Sequence, residues 1–235
     1  MVSIQNLHKK FGKNKVLVGV DLNIEEGGIF AVLGPNGSGK TTIIKSILGM
    51  VIPDKGTITV LEQSIKNNSA YRNEIDYLPQ IANFPSNLKV KEIITMIKDL
   101  RGKIAKDEQL IHLFKLESIL DKKLGNLSGG TKQKVNLVLT FMFDSPLIIL
   151  DEPTSGLDPI SLIRLKDLIQ AEKAQGKTIL ITSHIMSFVE EVSDQIVFLL
   201  EGKIYFKGSV SELKVKTNQP DFEHAIASIL IENHA

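Results

Sequence analysis

Gly34-Pro35-Asn36-Gly37-Ser38-Gly39-Lys40-Thr41 fits the pattern G-x-x-x-x-G-K-[ST] of a phosphate-binding loop in full. Its glycines let the backbone curl until successive N–H groups face one anion. The helix that follows adds the partial positive charge of its N-terminus. Lys40 reaches the β- and γ-phosphates of a nucleotide, and the Thr41 hydroxyl, followed by Thr42, offers an oxygen to Mg²⁺. A second chemical element is Asp151-Glu152, which closes the apolar run Leu147–Leu150. A strand end beside a phosphate loop is where open α/β sheets bind ligands. Consecutive strand residues face opposite sides, so the two acids are assigned different tasks. Asp151 stands on the Mg²⁺ side, through water, and Glu152 is the general base for an attacking water. A third element, Leu127-Ser128-Gly129-Gly130, opens a helix with a good N-cap and two glycines that bare the backbone. By itself it is either a second phosphate site or a plain cap.

Strands and helices must hold these groups. Ile29–Leu33, Ile75–Leu78, Leu147–Leu150, Thr178–Thr182 and Ile196–Leu200 read as strands, several without the polar alternation of a half-exposed sheet. Strands buried on both faces predict a largely parallel sheet covered by helices. Thr41–Gly49, Gly130–Phe143 and Ser161–Ala174 read as helices, and Val2–Leu7 with Val16–Ile24 as antiparallel strands around Gly12-Lys13-Asn14. Between Gln80 and Leu127 the strand signal vanishes, while Val90–Arg101 and Asp107–Phe114 carry helical spacing. That predicts a helical insertion near residues 81–127 within one domain spanning 1–235. The tail, residues 216–235, predicts a short amphipathic helix with Phe222, Ala225, Ile226, Ile229 and Leu230 on one side.

Composition narrows the function. The 235 residues carry a formal net charge of +1 and no run of like charges, which argues against a broad basic face for nucleic acid. With no cysteine there is neither a disulfide framework nor a thiolate metal site. The N-terminus does not read as a signal peptide. No stretch approaches the ~20 apolar residues that span a bilayer. Any service to a membrane therefore goes through a partner.

The ordered set resembles the ATP-binding-cassette family over about residues 2–215. It comprises Gly34–Thr42, Gln80 in Tyr77-Leu78-Pro79-Gln80, Leu127–Gly130, Asp151-Glu152, Ser155-Gly156-Leu157-Asp158, and His184 in Thr182-Ser183-His184. The resemblance implies a phosphate-loop α/β core with an N-terminal antiparallel β subdomain and an inserted α-helical subdomain. It implies two cassettes packed head to tail, as a homodimer or with a similar ATPase subunit. Each ATP would lie between the phosphate loop of one and Ser128-Gly129-Gly130 of the other. It further implies that Gln80 ligates Mg²⁺, senses the γ-phosphate and reports through the helical insertion. Asp158 would bridge the two sites, His184 would contact the γ-phosphate, and Phe11 would stack on adenine, a contact with little base discrimination. Without the resemblance, Gln80 is a surface glutamine, Asp158 a helix cap, and His184 a structural histidine.

Three positions depart from the family pattern. Thr131 replaces the usual glutamine after Ser-Gly-Gly, which puts the ribose contact across the dimer in doubt. Gly156 replaces a more frequent alanine, and Gly28 a more frequent glutamate. The implied activity is MgATP hydrolysis powering a separate integral membrane subunit, from the cytoplasmic inner face of the membrane and without nucleic acid. Members acting on ribosomes or DNA carry a second cassette or a long coiled coil, which this chain lacks. A regulatory subunit without turnover is the other alternative, and Glu152 and His184 weigh against it. Residues 78–85, 98–101 and 128–135 are similar to export-type cassettes, and among these to the ATPases of the copper-processing system that matures nitrous-oxide reductase.

Overall fold

A computed structural model describes residues 1–81 and 83–234; Ala82, in the expected insertion, and Ala235, ending the expected tail, lie outside the described residues. Among the described residues, ten strands and eight α-helices follow in chain order. They are β1 (Val2–Phe11), β2 (Asn14–Ile24), β3 (Gly28–Leu33), α1 (Lys40–Ile47), β4 (Lys55–Val60), β5 (Gln63–Ser64), β6 (Ile75–Leu78), α2 (Val90–Arg101) and α3 (Asp107–Phe114). Then come α4 (Gly129–Phe141), β7 (Leu147–Asp151), α5 (Pro159–Ala174), β8 (Thr178–Thr182), α6 (Met186–Val192), β9 (Gln195–Leu200), β10 (Lys203–Gly208), α7 (Val210–Thr217) and α8 (Phe222–His234).

The strands without polar alternation form the centre of a six-stranded sheet, ordered β10-β9-β3-β8-β7-β6. All neighbours from β9 to β6 are parallel, and β10 closes one edge antiparallel. Side chains divide strictly by parity. Ile29, Ala31, Leu33, Ile148, Leu150, Ile179 and Ile181 enter one core cluster, while Phe30, Val32, Leu147, Ile149 and Leu180 enter another on the opposite face. Both faces are dry, which is why these strands read as unbroken apolar runs. The second cluster includes Ile43, Ile44 and Ile47 of α1 and is capped by β1, β2 and β4 of a four-stranded antiparallel sheet, ordered β2-β1-β4-β5. The expected N-terminal β piece is therefore present, with β4 and β5 added to it.

The helical insertion shares the first cluster rather than forming its own: Val90, Ile93, Ile94, Leu110, Phe114 and Leu124 join Val135, Leu137 and Val138 of α4. Its base is fixed by charge. Arg101, at the end of α2, pairs with buried Asp76 on β6, donates to Ser145 Oγ at 3.1 Å, and lies 5.0 Å from the Phe143 ring centre. Burial raises the Asp76 pKa, and the Arg101 charge partly offsets this. Ahead of α3, Lys106 reaches the buried Glu172 of α5, which Lys177 also binds.

The tail departs from expectation. Helix does not run continuously from residue 216. Instead α7 begins earlier, at Val210, behind the Ser209–Glu212 capping box, and stops at left-handed Asn218. A second helix, α8, starts at Phe222. Phe222, Ala225, Ile226 and Ile229 are buried as one side, with Leu230 partly buried beside them.

Candidate active site

β3 carries the chain into the phosphate loop. Gly34 has φ 150°, and a Cβ there would stand 2.1 Å from the Leu199 carbonyl oxygen and 2.6 Å from Ser38 Oγ. Only glycine allows the loop to press this closely onto β9. The Ser38 N–H donates to the Pro35 carbonyl at 3.2 Å, and its buried hydroxyl finds no hydrogen-bond partner among the described residues. The helix α1 starts at Lys40 without a side-chain cap or an acid in its first turn. Its free N–H groups and dipole are left to an anion. Lys40 folds back, donating to the Gly34 carbonyl at 2.8 Å and the Pro35 carbonyl at 3.1 Å. Burial lowers its pKa, and the charges of Glu152 and Asp151 pull it back up.

One cleft of about 330 Å³ gathers most of the predicted residues. Asn36, Gly37, Gly39, Lys40, Thr41 and Thr42 line its phosphate end, Gln80, Asp151 and Glu152 the far wall, and Phe11 the other end. The Phe11 ring is half exposed, as a stacking surface must be, and the Lys9 ammonium lies 5.2 Å from its centre. Asn14 and Val16 of β2 line the same end. Neither was singled out from sequence, since nothing in a turn asparagine or a strand valine signals a ligand.

Asp151 and Glu152 differ for another reason than strand alternation. β7 ends at Asp151, and Glu152 leaves it with φ 52°. That left-handed backbone costs a non-glycine residue on the order of 1–3 kcal/mol, a strain that concentrates at functional sites. It is held by the Glu152 N–H, which donates to both the carbonyl and the hydroxyl of Thr182 at 3.1 Å. Asp151 is directed to the Thr182 hydroxyl, and Glu152 Oε2 lies 2.8 Å from His184 Nδ1. Thr182 was read only as the end of a strand and as part of a motif, not as a site residue.

Thr41, Gln80 and Asp151 all line the cleft. One carboxylate with a hydroxyl and an amide oxygen suits Mg²⁺, which keeps several waters and takes its remaining ligands from substrate phosphates. Among the described residues no group of three or more His, Cys, Asp or Glu forms a self-sufficient metal cage.

Ser128, Gly129, Gly130 and Asp158 do not line this cleft. Ser128 caps α4, accepting from the Thr131 N–H at 3.3 Å, and its hydroxyl meets that of Thr131 at 2.8 Å. Thr131, the departure from the family pattern, thus serves the cap. A Cβ on Gly130 would approach the Gly156 carbonyl oxygen to 2.4 Å, so the two glycine loops lie against each other. Asp158 caps α5 through the Ser161 N–H at 2.9 Å and pairs with Lys134 of α4 at 3.3 Å.

A family model described as ABC transporter matches residues 17–155. The chain is 35% identical over 229 residues to the lantibiotic transport ATP-binding protein SrtF of Streptococcus pyogenes, covering 95% of this chain and 99% of that protein. It is 33% identical over 214 residues to the Nod factor export ATP-binding protein I of Burkholderia lata, covering 88% of this chain and 70% of that protein. A solved structure of the ATP binding subunit of an ABC transporter superposes with a TM-score of 0.91 at 27% identity, covering 98% of this chain and 99% of that one.

Proposed function

The chain belongs to the ABC transporter family as an ATP-binding, ATP-hydrolysing subunit, and we propose that it drives a separate integral membrane subunit through an ATP-closed dimer. The observation that carries this reading is a division. Lys40, Thr41, Gln80, Asp151 and Glu152 share one cleft, while Ser128–Gly130 and Asp158 face elsewhere. A single chain holds two half-sites, and a second copy packed head to tail completes each. Among the described residues no helix is long and apolar enough to cross a membrane. The site acts from the cytoplasmic face, where ATP is available, on the side of the membrane subunit.

In this mechanism the loop N–H groups and Lys40 hold the β- and γ-phosphates, Lys40 exchanging its two loop carbonyls for phosphate oxygens. Thr41, Asp151 and Gln80 would hold a Mg²⁺ ion, which when bound would supply charge neutralisation at the phosphates. Glu152 takes the proton of the attacking water. His184 orients the Glu152 carboxylate and contacts the γ-phosphate. Phe11 stacks on the base. The two relatives above are named for Nod factor export and lantibiotic transport, and an export role is the reading we extend to this chain.

The test is co-expression with the membrane protein encoded beside this chain. Co-purification, together with phosphate release that responds to that protein in lipid, is the expected result. Failure to associate, with turnover indifferent to every membrane protein tried, would overturn the transport role while leaving the ATPase intact.

A further inference from the structure

A second cavity of about 450 Å³ lies behind the phosphate loop. Asn36, Gln80 and Glu152 line both it and the nucleotide cleft. His184 stands at its edge, and its apolar wall is Met186, Phe198, Ile226 and Leu230. Ile226 and Leu230 belong to α8, beyond the residues 17–155 matched by the family model.

The His184 ring is mostly exposed, 69% by side chain, and its Nδ1 meets Glu152. Its place is therefore set by its backbone, which bridges the end of β8 and the start of α6. α6 has only seven residues, and its N-cap, Ile185, makes no side-chain cap bond. So short a helix is fixed by packing, not by its own hydrogen bonds. Phe188, Val189 and Val192 of α6 pack in the same cluster as Phe222, Ala225, Ile226 and Ile229 of α8. Met186, two residues after His184, lines the same cavity as Ile226 and Leu230.

We propose that α8 is a working part of the hydrolytic site, with Ile226 and Leu230 as positioning residues that seat α6 and so hold His184 against Glu152. This rests on the reading of Glu152 and His184 given above. Shortening either side chain enlarges the cavity under Met186 and lets the His184 backbone shift. A shift of this kind lowers the chemical step while leaving the nucleotide contacts of Lys40 and the loop alone.

The experiment measures phosphate release by the full chain across a MgATP series for Ile226→Val, Ile226→Ala, Leu230→Ala and the exposed control Ile231→Ala. Misplacing a catalytic group by about 1 Å costs up to ~100-fold. Ile226→Ala and Leu230→Ala are therefore expected to lose about ten-fold in kcat with KM changed less than about two-fold. Ile226→Val should retain most activity, and Ile231→Ala all of it. The substitutions are then repeated in a His184→Ala background under single-turnover conditions. There they should cost almost nothing more, because the group they position is gone. Leu230→Ala, at a partly exposed position, carries the test should Ile226→Ala fail to fold. An unchanged kcat, a rise in KM alone, or an undiminished loss in the His184→Ala background would each overturn the proposal. Failure of the base assignment is distinguishable, since it shows as turnover by Glu152→Gln whatever α8 does.

Discussion

The Thr182 hydroxyl donates to Asp151 Oδ1 at 2.5 Å, and the same oxygen accepts the Glu152 N–H at 3.1 Å. One side chain at the end of β8 thus fixes both acids at the end of β7. Thr182→Val keeps the β-branched shape but leaves the buried Asp151 carboxylate short of a donor. An unsatisfied buried group costs about 1–3 kcal/mol. The expected outcome is a stability loss of that size in denaturant titration, with weaker Mg²⁺-dependent nucleotide binding. Thr182→Ser, which keeps the hydroxyl, should recover most of both. Wild-type behaviour by Thr182→Val would show that the bridge is incidental.

Lys40→Ala removes the cation proposed to hold the β/γ-phosphates, together with its bonds to the Gly34 and Pro35 carbonyls. Loss of most ATP affinity and of all measurable turnover is expected, read by equilibrium titration and phosphate release. Turnover at the wild-type rate would refute the phosphate-loop assignment.

Association follows from the divided site. With hydrolysis blocked by Glu152→Gln, ATP should convert the chain to a dimer in light scattering, and ADP should not. In the proposed arrangement Ser128–Gly130 is the face that a second copy presents, so Ser128→Arg should abolish the ATP-dependent dimer while leaving the fold intact. A monomer with both nucleotides, at tens of micromolar protein and with the membrane subunit also supplied, would exclude the arrangement.

Asp158 gives an acid signature. The Ser161 N–H and hydroxyl, then Lys134, hold its carboxyl down to about 2 against an ordinary 3.8. A folded pKa below the unfolded one means that the interaction stabilises above the unfolded value and is lost as pH falls through the folded one. Asp158→Ala should therefore cost about 1 kcal/mol at neutral pH, the usual worth of such a cap. The gap to wild type should narrow as pH falls from 3.8 towards 2. A gap that is constant over that window would mean the carboxylate charge contributes nothing.

Local chemistry was legible in the sequence, and distant contacts were not. The buried strands of the large sheet announced themselves because both faces are dry, leaving no polar residue to interrupt them. Gly34–Thr42 was legible because a phosphate loop needs its residues consecutively. Asp151 and Glu152 were assigned different tasks from strand alternation; their surroundings differ instead through the left-handed φ at Glu152, which leaves no mark in residue order. α6, α7 and β10 went unread because they are short and partly polar. Asp76, inside the run Ile75–Leu78, was not singled out; its partner Arg101 is set beside it only by the folding of the insertion. Ile226 and Leu230 were legible as one side of a helix, yet which surface that side meets is decided by α6.

Glu152 and Asp151 remain to be separated by function, since either carboxylate could in principle serve as the base. Their surroundings give the distinction. Asp151 is buried against Thr182, whereas Glu152 reaches His184 at the junction of the two cavities. A general base typically contributes ~10²–10⁴-fold in rate and little to ground-state binding. A carboxylate on the Mg²⁺ side acts in ground and transition states alike, so its loss weakens metal-dependent binding as well. Glu152→Gln is therefore expected to bind MgATP with near-normal affinity and to lose nearly all turnover. Asp151→Asn should lose Mg²⁺-dependent affinity along with turnover. Glutamine keeps the size of glutamate and one accepting oxygen, so neither a cavity nor a broken contact to His184 would account for a large rate loss. The measurement pairs equilibrium nucleotide titration with phosphate release, each across a magnesium series. Retention of more than about a tenth of wild-type turnover by Glu152→Gln falls short of a base effect. Catalysis would then rest on His184 and on the γ-phosphate itself accepting the proton.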